Sequence, residues 1–229
     1  MENNTKRALT LAGIRLALQQ PLPGLAAQLR MAPPGRPNDI PQTERPPREA
    51  GVLLLLYLKE NELHFVLTRR TERLGNHSGQ ISFPGGRREP SDADLAATAL
   101  RETREELGIE IDDIELLGQL TPLYVPPSHF LISPVVAYSQ HAPHFAPNAD
   151  EVAEVIEAPL AVLFDEAAKG AELRALISQN SKHMLTPHYR IAGHSVWGAT
   201  AMVLSEFEQI TRRWDLVIVQ DRSTISENA

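Results

Sequence analysis

At 229 residues the chain is long enough to bury a substantial core, and it reads as one domain with an extension rather than two. It has no cysteine, which excludes a disulfide frame and a thiolate metal site and permits a reducing compartment. A net charge of −7 argues against a nucleic-acid binder working through bulk electrostatics. No apolar run approaches the roughly 20 residues needed to span a bilayer. The longest is Val52 to Tyr57, so a soluble, cytoplasmic protein is expected.

Thr5 to Gln20 places Leu11, Ile14 and Leu18 at helical spacing and predicts an amphipathic helix, ended by Pro21 and Pro23. A shorter apolar stretch follows from Leu25 to Met31. Residues 3 to 38 hold no acid but carry Lys6, Arg7, Arg15, Arg30 and Arg36, a profile shared with mitochondrial presequences. Glu2 fits that profile badly, so a packed helix is the preferred reading and mitochondrial targeting the minor one. Six prolines between Pro33 and Pro47 predict a stiff, extended linker. Residues 1–48 therefore form a helical extension with a proline-rich linker, and residues 49–229 the main domain.

Val52 to Leu58 and His64 to Thr68 predict a hairpin turned at Lys59-Glu60-Asn61-Glu62. An alanine-rich helix comes next, capped by Ser91 or Asp92 and stopped at Gly108, with Leu95, Ala99 and Leu107 on its core stripe. Ile114 to Leu120, Leu131 to Tyr138 and Val152 to Glu157 read as strands, the first two separated by a loop holding Pro122, Pro126 and Pro127. After Pro159 the pattern predicts an apolar helical turn, a hairpin near His188 to Ser195 and a helix from about Thr200 to Arg212. Leu216 to Val219 is a candidate strand in the tail. Strands and helices mix without regular alternation, an α/β (α+β) pattern.

The alanine-rich helix ends on Arg101, Glu102, Glu105, Glu106 and Gly108. At 3.6 residues per turn the three glutamates project from one face, and like charges held that close call for a cation. Hard divalent ions that prefer carboxylate oxygen, above all Mg2+ and Mn2+, are the economical partners. A plain solvated face is the alternative for a Glu/Arg run. However, these five fixed residues would arise by chance in only about 2 in 10,000 chains of this length.

Gly86, five residues, Asp92, eight residues, then Arg101-Glu102-Thr103-Arg104-Glu105-Glu106-Leu107-Gly108-Ile109 resembles the box of the Nudix hydrolases. Two features depart from the general box: Asp92 stands for Glu with one extra residue after it, and Thr103 occupies an aliphatic position. Upstream, Leu67-Thr68-Arg69-Arg70, His77-Ser78-Gly79-Gln80 and Phe83-Pro84-Gly85-Gly86 are similar to the additional signature of coenzyme A pyrophosphatases, where the longer box with Asp is usual. That signature has Arg where this chain has Gly75, and Ser or Ala where it has Thr71; Arg73 is the nearby residue placed to compensate.

The resemblance implies a Nudix fold, a mixed β-sheet sandwiched between α-helices. It implies metal ions on Glu102, Glu105, Glu106 and the carbonyl of Gly86, which would screen a diphosphate, polarise one phosphorus and activate water. Arg101 would hold a carboxylate in place; a surface ion pair is the plainer alternative. Glu102 ranks first as general base, with Glu105, Glu151 and Glu154 as the others. Arg69 and Arg70 point to opposite faces of a strand, so one of them enters the cleft, and the signature favours Arg70 as the phosphate contact. Gly85 would bring backbone close to the site, and His77, Ser78 and Gln80 would bind the nucleotide or its 3′-phosphate. Pro127 to Phe130 resemble a later loop where an aromatic contacts the acyl-pantetheine arm or only packs, and Arg87 and Arg88 would attract an anionic substrate.

The leading expectation is thus a metal-dependent pyrophosphatase cleaving coenzyme A or its thioesters into 3′,5′-ADP and a 4′-phosphopantetheine. Hydrolysis of another nucleoside diphosphate derivative, such as NADH, ADP-ribose or a damaged nucleotide, is the second. A non-catalytic binding module is the third, against which all three box glutamates stand. Some members of the family pair as homodimers, for which the long N-terminal arm is the candidate surface.

Overall fold

The computed structural model describes residues 10–37, 40, 45–71, 79–176 and 182–212. Gly75, His77 and Ser78 of the upstream signature, the first helix before Thr10 and the candidate strand at Leu216 to Val219 lie outside these residues.

Strand β1 (Arg48–Lys59) is the centre of the main sheet because its run of apolar side chains suits burial on both faces. Leu53 to Tyr57 are all fully buried. The strand turns through Glu60 and Asn61, both at positive φ, into antiparallel β2 (Glu62–Arg70), the expected hairpin. Its other edge pairs in parallel with β7 (Phe130–Ser139), which in turn binds β5 (Ile114–Gln119) and β6 (Leu123–Val125) antiparallel. β8 (Val152–Pro159) and the two-residue β3 (Ile81–Ser82) join β2. β4 (Gly85–Arg87) joins the first half of β1, so the mixed sheet has eight strands among the described residues.

The two faces of β1 divide the core. Leu53, Leu55 and Tyr57 pack with Ala96, Ala99 and Leu107 of α3 (Leu95–Leu107). Leu54 and Leu56 face the other way, in one cluster with Leu204 and Phe207 of α4 (Gly198–Arg212) and Ile14 and Ala17 of α1 (Leu11–Leu18). A mixed sheet between helices is what the resemblance led us to expect. The N-terminal extension shares this core rather than forming one of its own. After α1, the short α2 (Leu25–Gln28) is tied down by Glu206, which is fully buried and accepts hydrogen bonds from the Gly24 backbone N–H (3.1 Å) and Gln28 Nε2 (2.9 Å).

The linker is pinned as well. Arg36 donates to the carbonyl of Tyr124, while His129 bridges the Tyr124 hydroxyl (2.9 Å) and the Arg45 carbonyl (3.1 Å). In the Pro127–Phe130 loop the Phe130 ring packs against the linker end, with the Arg48 guanidinium 4.1 Å from its centre.

A second sheet follows the apolar turn at Leu160–Phe164: β9 (Lys169–Leu176), β10 (Lys182–Ile191) and β11 (His194–Trp197), all antiparallel. The β10–β11 hairpin matches the one expected near His188 to Ser195. β9 is not foreseen, because Lys169-Gly170-Ala171-Glu172 carries little of the apolar alternation that marks a strand.

Candidate active site

The cap of α3 differs from expectation. Asp94 takes the N-cap position and accepts from the Ala97 N–H, so neither Ser91 nor Asp92 caps the helix. Asp92 binds Arg101 instead. Its buried carboxylate accepts from Arg101 Nε (2.9 Å) and Nη2 (3.1 Å), from the Glu89 N–H (2.8 Å) and from the Thr98 hydroxyl (2.8 Å). The Arg101 guanidinium and the Glu89 N–H hold the Asp92 carboxyl well below the usual carboxylate range. At the other end Gly108, at φ +63°, closes the helix in the left-handed conformation as expected. Thr103 fits its apolar position because its hydroxyl donates to the Ala99 carbonyl (2.6 Å), leaving no unpaired polar atom in the core.

Arg101 is the hub of this face. Besides Asp92, its Nη1 lies 3.0 Å from Glu102 and 3.4 Å from Glu105, and its Nη2 donates to the Arg87 carbonyl (3.0 Å). This is more than the surface ion pair that was the plainer alternative. The three glutamates are not equivalent. The Glu105 side chain is 52% exposed at the rim, that of Glu102 is 18% exposed, and that of Glu106 is 5% exposed on the inner side.

Glu106 meets the glycine segment and strand β2. One of its oxygens accepts from the Gly85 N–H (3.2 Å) and the other lies 3.8 Å from Arg70. Burial pushes its carboxyl up to about 7 despite the pull of Gly85 and Arg70, and the charges of Glu102 and Glu151 add to the rise. Burial also raises Glu102, opposed by Arg101 and reinforced by Glu105 and Glu151. Glu151 therefore belongs to the same field.

The Gly85-Gly86 pair opens strand β4. A Cβ on Gly85 would fall 2.4 Å from the Gly51 carbonyl oxygen, and one on Gly86 would fall 2.4 Å from the Glu102 carboxyl carbon. The glycines are required by close approach within a pleated pair, and Gly51 opposite Gly86 is part of the same device. Gly51 is a residue that sequence reasoning missed. Its signal was a glycine immediately before an apolar strand, which is too common to single out.

Strand alternation separates Arg69 from Arg70 as anticipated. Arg70 turns toward Glu106, whereas Arg69 donates to Glu154 (2.8 Å) on the other face. Glu154 also meets His194 Nε2 (3.1 Å), and Arg69 and His194 hold its carboxyl below the usual range. Gln80 supports Arg70 through its backbone, its carbonyl accepting from the Arg70 N–H (3.1 Å). His77 and Ser78 lie outside the described residues.

Among the described residues, no three acidic or histidine side chains already converge on one coordination point. Arg101 holds Glu102 and Glu105 aside, while Gly85 and Arg70 hold Glu106. The donor set nevertheless suits a hard divalent ion: it offers carboxylate oxygens, and the cation beside its innermost carboxylate, Arg70, stands 3.8 Å away.

The NUDIX domain family profile matches residues 47–179. The chain is 33% identical to the Nudix hydrolase NudL of Photorhabdus laumondii over 80% of its own length and 92% of that protein. It is 36% identical to the mitochondrial coenzyme A diphosphatase NUDT8 of Homo sapiens, covering 70% of this chain and 68% of the relative. It is 41% identical to the peroxisomal coenzyme A diphosphatase NUDT7 of Mus musculus, over 48% of this chain and 46% of that one. Sheet, box helix and sequence match agree, and the chain belongs to the Nudix hydrolases.

Proposed function

We propose that this enzyme hydrolyses the diphosphate bond of coenzyme A or its thioesters, releasing 3′,5′-ADP and a 4′-phosphopantetheine. The observation that carries the reading is the meeting of the upstream signature with the box: Arg70 from one and Glu106 from the other face each other beside Gly85. Relatives named as coenzyme A diphosphatases, one of them similar over 70% of this chain, support the choice of substrate.

In this reading Glu102, Glu105, Glu106 and the Gly86 carbonyl hold Mg2+ or Mn2+. A bound ion supplies screening of the diphosphate and polarisation of one phosphorus. Arg101 fixes Glu102 and Glu105 relative to Asp92, so the carboxylates keep their spacing when the substrate arrives. Arg70 contacts a diphosphate oxygen. Glu102 accepts the proton of the attacking water, a role suited to a carboxylate raised by burial yet still 18% exposed.

The test is turnover of coenzyme A beside NADH, ADP-ribose and a nucleoside triphosphate, each with Mg2+ or Mn2+, with products identified by mass. Release of 3′,5′-ADP from coenzyme A with little turnover of the others is the expected result. Preferential cleavage of another diphosphate would overturn the substrate assignment and leave the chemistry in place.

A further inference from the structure

We propose that a cationic cavity behind the glycine strand receives the 3′-phosphate of the substrate; the inference rests on the coenzyme A reading. The cavity has a volume of about 290 Å³ and is lined by Arg48, Glu49, Arg87, Arg88, Glu89 and Pro90. Three arginines face two glutamates there, and one glutamate is already neutralised by the Arg88–Glu49 pair (3.0 Å). Arg48 and Arg87 have no carboxylate partner among the described residues. Their charges are open to an incoming anion.

Arg48 is oriented before any ligand arrives. Its guanidinium lies 4.1 Å from the Phe130 ring centre, and its Nη2 donates to the Ser128 carbonyl (2.7 Å). A cation held by a ring and a carbonyl loses little conformational freedom when it takes up a phosphate, and arginine suits the paired oxygens of a phosphate monoester.

The position argues for a second phosphate rather than the scissile diphosphate. In β1 and β4 side chains alternate between faces, and Gly51 and Gly86 face α3 and Glu102. Arg48, Ala50 and Arg87 therefore leave on the opposite face. Arg87 follows Gly86 directly, and its carbonyl is held by Arg101, so the side chains of Arg48 and Arg87 and the box carboxylates lie on either side of one three-residue strand. A ligand bridging them must carry two anionic groups a few bonds apart. Coenzyme A does, with a diphosphate at the 5′ position of its ribose and a monoester, close to doubly charged at neutral pH, at the 3′ position.

The experiment compares kcat/KM for coenzyme A and dephospho-coenzyme A in the wild type and in Arg48→Gln and Arg87→Gln. A second readout, independent of turnover, is calorimetric binding of 3′,5′-ADP against 5′-AMP. The wild type should prefer coenzyme A, and each substitution should lower that preference roughly tenfold, with 3′,5′-ADP losing its advantage over 5′-AMP. Added salt should weaken the preference, because the side chains are exposed. If the wild type cleaves coenzyme A but both ratios stay unchanged in both variants, the cavity is not the 3′-phosphate site. If neither coenzyme A nor its dephospho form is cleaved, the substrate assignment itself fails and takes this inference with it.

Discussion

The Glu102 carboxylate occupies the space that a side chain at Gly86 would need, its carboxyl carbon lying 2.4 Å from where a Cβ would stand. Gly86→Ala should therefore push Glu102 off the site while leaving the fold largely intact, since the displaced atoms are the end of a flexible side chain. Gly51→Ala presents the opposite case. Its Cβ would fall 2.2 Å from the Leu95 carbonyl and 2.9 Å from the Ala99 nitrogen, so helix α3 itself would have to move. The expected outcome is that Gly86→Ala loses activity with a near-normal melting temperature, and that Gly51→Ala lowers the melting temperature first. Equal thermal losses in the two variants would contradict this division.

Asp92 decides which carboxylates Arg101 can release. With Asp92 intact, Nε and Nη2 are engaged and only Nη1 reaches Glu102 and Glu105. In Asp92→Asn the guanidinium loses its main counter-charge and should settle on the glutamates, where it competes with a divalent ion. The Mg2+ concentration for half-maximal rate should rise by about tenfold or more, the usual effect of losing a group that orients metal ligands. Arg101→Lys should shift it in the same direction, because an ammonium cannot span the two oxygens of Asp92 and the Arg87 carbonyl together. Metal titrations of the initial rate check both, and an unchanged metal dependence would show that Arg101 only packs.

Local pattern carried the box helix, the central hairpin and the opposite facing of Arg69 and Arg70, because each rests on periodicity or on a capping glycine. The remainder depends on long-range contact. Nothing near Asp92 in the chain announces that it is the counter-charge of Arg101 nine residues later rather than a helix cap. Nothing near Glu154 in the chain announces that the fold brings His194 beside it from a second sheet. β3, β4 and β6 span only two or three residues, too few for alternation to register, and they exist because β1, β2 and β7 offer free edges.

Glu105→Gln and Glu106→Gln should each lower turnover on the order of a hundredfold or more, since in the proposed site each removes a carboxylate that would hold the metal rather than a distant charge. Glu105 sits at the rim with half its side chain exposed, so its variant should fold like the wild type. Near wild-type rates in both variants would remove the metal assignment.

Glu106 also gives the metal-free protein a pH signature. Its folded carboxyl is raised by burial to about 7, above the ordinary value near 4.5, so the folded state holds a proton that the unfolded chain releases. The stabilisation is fully present below the ordinary value and is lost as pH rises through about 7. On the order of 3 kcal/mol is involved. Melting in a chelator should therefore show wild type falling relative to Glu106→Gln between pH 5 and 7. In the proposed metal site, an ion held by Glu106 would displace that proton below pH 7, so Mg2+ affinity should rise with pH up to about 7 and then level off. Parallel curves for wild type and variant would contradict the raised carboxyl.

Glu206 joins three parts of the chain at one buried point. Its carboxylate accepts from the Gly24 N–H, Gln28 Nε2, the Thr121 N–H (3.2 Å) and the Thr121 hydroxyl (2.6 Å), so α2, the β5–β6 connection and α4 meet on one side chain. Glu206→Ala would leave those donors without their acceptor in a site closed to water, at a cost of roughly 3 kcal/mol or more. The box carboxylates lie on the other side of the sheet, so the loss should appear as a lower melting temperature with kcat preserved at low temperature. Proteolysis should report the same event locally, with cleavage of the N-terminal arm appearing before that of the main domain. An arm that stays protected in the variant would show that Ile14, Ala17 and Met31 hold it by apolar packing alone.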